Sequence, residues 1–190
     1  MKRILVLLIL ILMIRLLGFA QPIESPPEGK SIIYFYFDPS LSSGETRLFK
    51  EQSFVGSFPA GSYASVVLEP GDELFWTDRN GSSWMEANVA ANKRYLVVVE
   101  SSGQSDAATI RLTPLRDGSP RYWSIWQLLR GQDPLDSSTS RPGSEGDMKT
   151  IISSAWSAYR DKKIPVVQIS TLSADENVGN SRFAVPPISH

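Results

Sequence analysis

Three carboxylates, Glu69, Asp72 and Glu73, fall within five residues on either side of Pro70-Gly71. Carboxylates this close are able to hold a hard cation or to divide general acid and general base work. They lack the alternating spacing and closing Glu of a calcium loop. An exposed turn accounts for them as charges that keep strand ends from pairing. Asp133-x-x-Asp136 reads as a turn in the same way. Gly29-Lys30-Ser31 has the ending of a phosphate-binding loop, but that motif needs Gly where Glu24 stands, a strand before it and a helix after it. A Pro-rich stretch precedes this one and a strand pattern follows. A nucleophilic Ser needs a positioned base. The single His is the terminal His190, and no S-x-x-K pair occurs. There is no Cys to act as a thiolate or to bind zinc. The chain therefore reads as no enzyme, with no catalytic residue, metal site or cofactor to assign.

The five Trp residues are the other group with chemical potential, since indoles stack on sugars and peptides. Trp156 belongs to an apolar helical stripe and reads as core. Trp123 and Trp126 lie three apart on a short helical pattern, where they either cap a sheet or face a partner. Trp123, Trp126 and Trp84 are the candidate binding residues.

The elements that must position these groups begin after an N-terminal segment of another kind. Residues 1–20, MKRILVLLILILMIRLLGFA, carry Lys2 and Arg3, then an unbroken apolar run from Ile4 to Ile14, then small residues at Gly18 and Ala20. That is the pattern of a secretory signal peptide. The alternative is an uncleaved inner-membrane anchor, which would act as a membrane tether. The 11-residue run rises only about 16 Å as a helix, roughly half a bilayer core. Either reading places residue 21 onward outside the cytoplasm, periplasmic or secreted. Among 19 basic and 20 acidic residues, Lys2, Arg3 and Arg15 precede residue 21 and no acid does, so cleavage leaves a net charge of −4. That balance argues against a nucleic-acid partner.

Residues 21–30 contain Pro22, Pro26 and Pro27 and read as a linker. From Ser31 to Leu115, short β-branched and aromatic runs recur about every ten residues with turn signals between them. They are Ile32–Phe37, a hairpin over 47–56, Ser62–Glu69, Leu74–Thr77, Trp84–Ala90, Arg94–Glu100 and Ala107–Leu115. The six apolar residues of the first run suggest a strand covered on both faces, with Tyr34 and Tyr36 sharing a wetter face as the alternative. Pro70-Gly71 fits a type II turn. Asn80-Gly81 is the strongest hairpin signal and outweighs the glycosylation sequon it overlaps. This pattern predicts a mainly β fold, an antiparallel sandwich or open barrel of about seven strands over 31–115. A C-terminal helical extension follows over 116–170. One helix spans 121–130, between Ser119-Pro120 and Gly131. A second carries Met148, Ile151, Ile152, Ala155, Trp156 and Tyr159 at spacings of three and four, capped by Asp147. Val166–Ile169 adds a candidate strand, and residues 171–190 read as a weakly ordered tail.

Ile33-Tyr34-Phe35-Tyr36, Phe54-Val55-Gly56, Pro59-Ala60-Gly61-Ser62-Tyr63, Glu69-Pro70-Gly71 and Ala91-Asn92-Lys93-Arg94-Tyr95 occur in that order. The order resembles a family of uncharacterised bacterial envelope β-domains, many of them small lipoproteins, over about residues 31–100. The resemblance implies a small β-sandwich outside the cytoplasm and brings no catalytic residues. The chain departs from the family in lacking the lipoprotein Cys, in having Asn92 where the family has Gly, and in its C-terminal helices. The expectation is a non-catalytic exported envelope module with a structural or protein-binding role, its partner an unidentified envelope protein. A carbohydrate- or peptidoglycan-binding module using exposed Trp is the alternative, and an unrecognised enzyme, sought at Glu69–Glu73, the third.

Overall fold

The computed structural model describes residues 24–41, 44–78, 83–102, 109–135, 145–161 and 169–175. The segment read as a signal peptide lies outside them, as do the Asn80-Gly81 turn, Asp136, Lys162-Lys163, residues 166–168 and the tail from 176. Among the described residues nine strands form: β1 (Ser31–Phe37), β2 (Glu45–Lys50), β3 (Ser53–Pro59), β4 (Tyr63–Leu68), β5 (Gly71–Thr77), β6 (Ser83–Val89), β7 (Arg94–Ser102), β8 (Thr109–Leu115) and β9 (Ile169–Leu172). Helices α1 (Pro120–Leu129) and α2 (Glu145–Arg160) lie between β8 and β9.

The strands make two sheets, ordered β4-β1-β7-β8 and β3-β2-β5-β6-β9. The architecture is mainly β and sandwich-like, and the described strands form no closed barrel. Pairing is mixed rather than wholly antiparallel, because β1 runs parallel to β7 and β6 runs parallel to β9. The chain alternates between the sheets, so partners of the same sheet come from distant parts of the sequence. Among the described residues, strands consecutive in the chain pair with each other as β2 with β3, β5 with β6 and β7 with β8.

Three apolar layers hold the molecule together, and the period of two along each strand sorts side chains among them. Ile33, Phe35 and Phe37 of β1 meet Phe75, Met85 and Leu172 of the other sheet in the central core. Their neighbours Ile32, Tyr34 and Tyr36 point the opposite way, against Tyr122, Ile125, Trp126 and Leu129 of α1. On the far side Phe49, Leu74, Trp76 and Trp84 meet Met148, Ala155 and, around them, Ile151, Ile152, Trp156 and Tyr159 of α2. Each helix thus covers the outer face of one sheet, giving the order helix, sheet, sheet, helix. This is why all seven residues of β1 are buried.

Helix α1 starts where its residues dictate. The Ser119 hydroxyl accepts the Tyr122 amide at 3.2 Å, with Pro120 in the first turn. Arg121 then clamps the helix to the sheet. Its guanidinium donates to Glu100 at 2.6 Å and to Asp38 at 3.1 Å. Helix α2 begins at Glu145, so Asp147 stands in its first turn and is not its cap. An acid in the first turn complements the helix dipole. The last strand also departs from the expectation. β9 crosses the boundary drawn at residue 170, and Leu172, assigned to a loose tail, is fully buried in the central core. Four residues beside a much longer polar stretch carry too little pattern to stand out.

Candidate functional site

Helix α2 covers only part of its sheet, and the uncovered part forms a cleft of about 490 Å³. Register explains its chemistry. Trp76 pairs with Trp84, and Trp84 with Ile169, in a row beneath the helix. The next outward row is Leu74, Glu86 and Thr171, and the one after it pairs Asp72 with Asn88. Along β5 this face runs Trp76, Leu74, Asp72 and along β6 Trp84, Glu86, Asn88, so one sheet face changes from aromatic to polar along its strands.

The lining contains Glu51, Asp72, Glu73 and Glu86, with Asn88, Thr171, Ser173 and the Tyr159 phenol, and also Leu74, Ala87 and Leu172. No Lys or Arg is among these lining residues. Lys50 reaches in from β2 and donates to Glu73 at 2.9 Å. Asn88 donates to Asp72 at 2.6 Å, and the Tyr159 hydroxyl donates to Glu86 at 2.7 Å. Burial, and then the Glu86 carboxylate that accepts its proton, push the Tyr159 phenol up to about 12.

Glu51 occupies the two-residue turn between β2 and β3, with φ at 51°. That is left-handed backbone, where glycine is the ordinary occupant. Two bonds hold it there: its amide donates to the Leu74 carbonyl at 2.8 Å, and its carbonyl accepts the Trp76 indole N–H at 2.7 Å. The second strained residue, Asn92 at φ 59°, accepts the Gly29 amide at 2.8 Å. Asn tolerates this region better than other side chains.

The acidic trio read from the sequence is divided. Asp72 and Glu73 line the cleft, whereas Glu69 pairs with Lys30 at 2.8 Å on the opposite sheet. Ser31, the end of the supposed phosphate loop, is a buried residue of β1. Among the described residues, no group of three or more His, Cys, Asp and Glu is arranged to hold a metal.

The three candidate indoles are not brought together. Trp84 is fully buried between its sheet and α2, where it stacks on Trp76 and Tyr159. Trp126 is 3% exposed, edge-on to Tyr34 beneath α1. Trp123 is half-buried at the margin of that layer. Trp84 and Trp126 present no face to a ligand, which corrects their assignment as binding residues. Their area is used in covering the sheets. Glu51, Glu86 and Tyr159 went unread as site residues. The polar alternation Glu86-x-Asn88 within an apolar strand was the legible sign of an open sheet face.

No family model and no curated protein matches this chain. The likeness over residues 31–100 rests on its motifs alone. Among the described residues, no helix is long and apolar enough to cross a membrane.

Proposed function

We propose that the chain is a non-catalytic exported module of the cell envelope that holds a protein partner, with the cleft beside α2 as the contact point. The occupant is a basic segment of the partner, carrying Lys or Arg. One observation carries this reading: a cleft of ligand size lined by four carboxylates and no cation. Lys50 offsets Glu73, leaving the negative charge of Glu51, Asp72 and Glu86 in the cleft. Opposite charge steers encounter and fixes register more than it adds affinity. Weak, salt-sensitive binding is therefore expected. Export rests on the composition of residues 1–20.

The alternative, sugar binding on exposed indoles, finds less support. The two partly exposed indoles, Trp123 and Trp156, sit on helices that cover opposite faces of the sandwich. Titration calorimetry with a lysine-rich peptide, its glutamate-rich counterpart and a peptidoglycan fragment separates the readings. The basic peptide alone should bind, with affinity falling as salt rises. Binding of the glycan alone would overturn the proposal.

A further inference from the structure

The indoles and phenols around α2 form a stack whose members differ in one chemical respect. Phe49 lies on Trp76 with centroids 4.0 Å apart, Trp76 on Trp84 at 5.1 Å, Trp84 on Tyr159 at 4.7 Å, and Tyr159 beside Trp156 at 6.1 Å. Trp76 and Trp84 are fully buried, and Trp156 is partly exposed. Tyr159 stands between the surface indole and the buried pair. The other five of the six tyrosines are buried.

We infer that Tyr159 and Glu86 form a trap for one-electron oxidation, intercepting an electron hole that enters at Trp156 before it reaches Trp84 and Trp76. The oxidants concerned are diffusible one-electron radicals. The radical takes one electron from the Trp156 indole and becomes an anion, leaving a tryptophan radical cation. Tyr159 passes one electron to that indole and its phenolic proton to the Glu86 carboxylate. The products are a neutral tyrosyl radical, a neutral carboxylic acid and a restored Trp156.

Charge and burial set the direction. A hole on Trp84 is a buried cation, whose indole N–H has no hydrogen-bond partner to receive its proton. Isolated buried charge is costly. The Trp76 N–H is held by the Glu51 carbonyl, a far weaker base than a carboxylate. At Tyr159 the proton has an acceptor at 2.7 Å, so the hole is stored without a buried cation.

Pulse radiolysis of the purified protein with azidyl radical, which attacks indoles, tests this. Tryptophan radical absorbance should convert to tyrosyl absorbance in a first-order step independent of protein concentration. Tyr159→Phe keeps the ring stack and should abolish the conversion. It should also raise oxidation products at Trp84 and Trp76, read by peptide mass spectrometry, several-fold. Glu86→Gln keeps a hydrogen-bond acceptor but removes the base, and should slow the conversion at least tenfold. Circular dichroism of both variants establishes that they fold. Unchanged tyrosyl yield in Tyr159→Phe, or an unchanged rate in Glu86→Gln, would overturn the inference.

Discussion

Glu51 should be kept at a cost in stability, and replacing it with glycine measures that cost. A left-handed backbone costs an ordinary L-residue about 1–2 kcal/mol. Glycine escapes it but loses about 0.5–1 kcal/mol of unfolded-chain entropy advantage. The two bonds that hold the turn use the Glu51 backbone amide and carbonyl, so both survive the change. The side chain is exposed, and little packing is lost. Glu51→Gly should therefore stabilise the protein by about 0.5–1 kcal/mol, a rise in Tm of roughly 1–4 °C for a domain of this size. Urea unfolding followed by indole fluorescence reads it, since Trp76 sits on the turn. In the same variant, loss of one surface carboxylate should weaken the lysine-rich peptide by roughly 2- to 5-fold, as for an exposed pair of about 0.5–1 kcal/mol. A variant less stable than the parent would refute the reasoning, because the carboxylate would then be structural. Equal peptide affinity would remove Glu51 from the site.

The two indoles of α1 should separate sharply. Trp126→Ala opens a cavity against Tyr34 and should cost about 3–5 kcal/mol, whereas half-buried Trp123→Ala should cost under about half of that, both measured by denaturant unfolding. Acid should loosen the clamp of α1. Burial alone would raise the Asp38 carboxyl, but bonds from Ser40 and the Arg121 guanidinium overcome it and hold it below its ordinary value. A depressed carboxyl contributes stability above its unfolded pKa of about 3.9, which is lost as pH falls through the lower folded value. Stability measured from pH 5 to 2 should fall less steeply in Arg121→Ala than in the parent. Because Arg121 is substantially exposed, the difference should stay within about 1 kcal/mol.

Where structure follows from neighbouring residues, the sequence was legible. Ser119-Pro120 starts α1 as read, and the stripe from Met148 to Tyr159 faces its sheet. The uninterrupted Ile32–Phe37 run suggested a strand buried on both faces, and the wetter face allowed for Tyr34 and Tyr36 is covered by α1. Pairing between distant segments was not legible. β1 and β7 lie side by side in parallel, yet about 60 residues separate Ile32 from its partner Arg94. No turn signal encodes that. The site failed to show for the same reason. Glu51, Glu86, Tyr159 and Thr171 come from a turn, two strands and a helix; the register of β6 and β9 pairs Glu86 with Thr171, and only the packing of the turn and α2 adds the other two. Tyr159 reads as one more apolar position of a stripe, and its hydroxyl gains meaning only with Glu86 opposite. The indoles misled because area suited to a ligand is equally suited to a sheet.

The most direct test of the binding account is a backbone amide NMR titration of the protein with a lysine-rich peptide at low salt. Shifts should gather at Glu51, Asp72, Glu86, Asn88 and Thr171, shrink as salt is added, and largely vanish in the double variant Asp72→Asn, Glu86→Gln. Shifts centred on α1 around Trp123, or an unaltered response in the double variant, would contradict it.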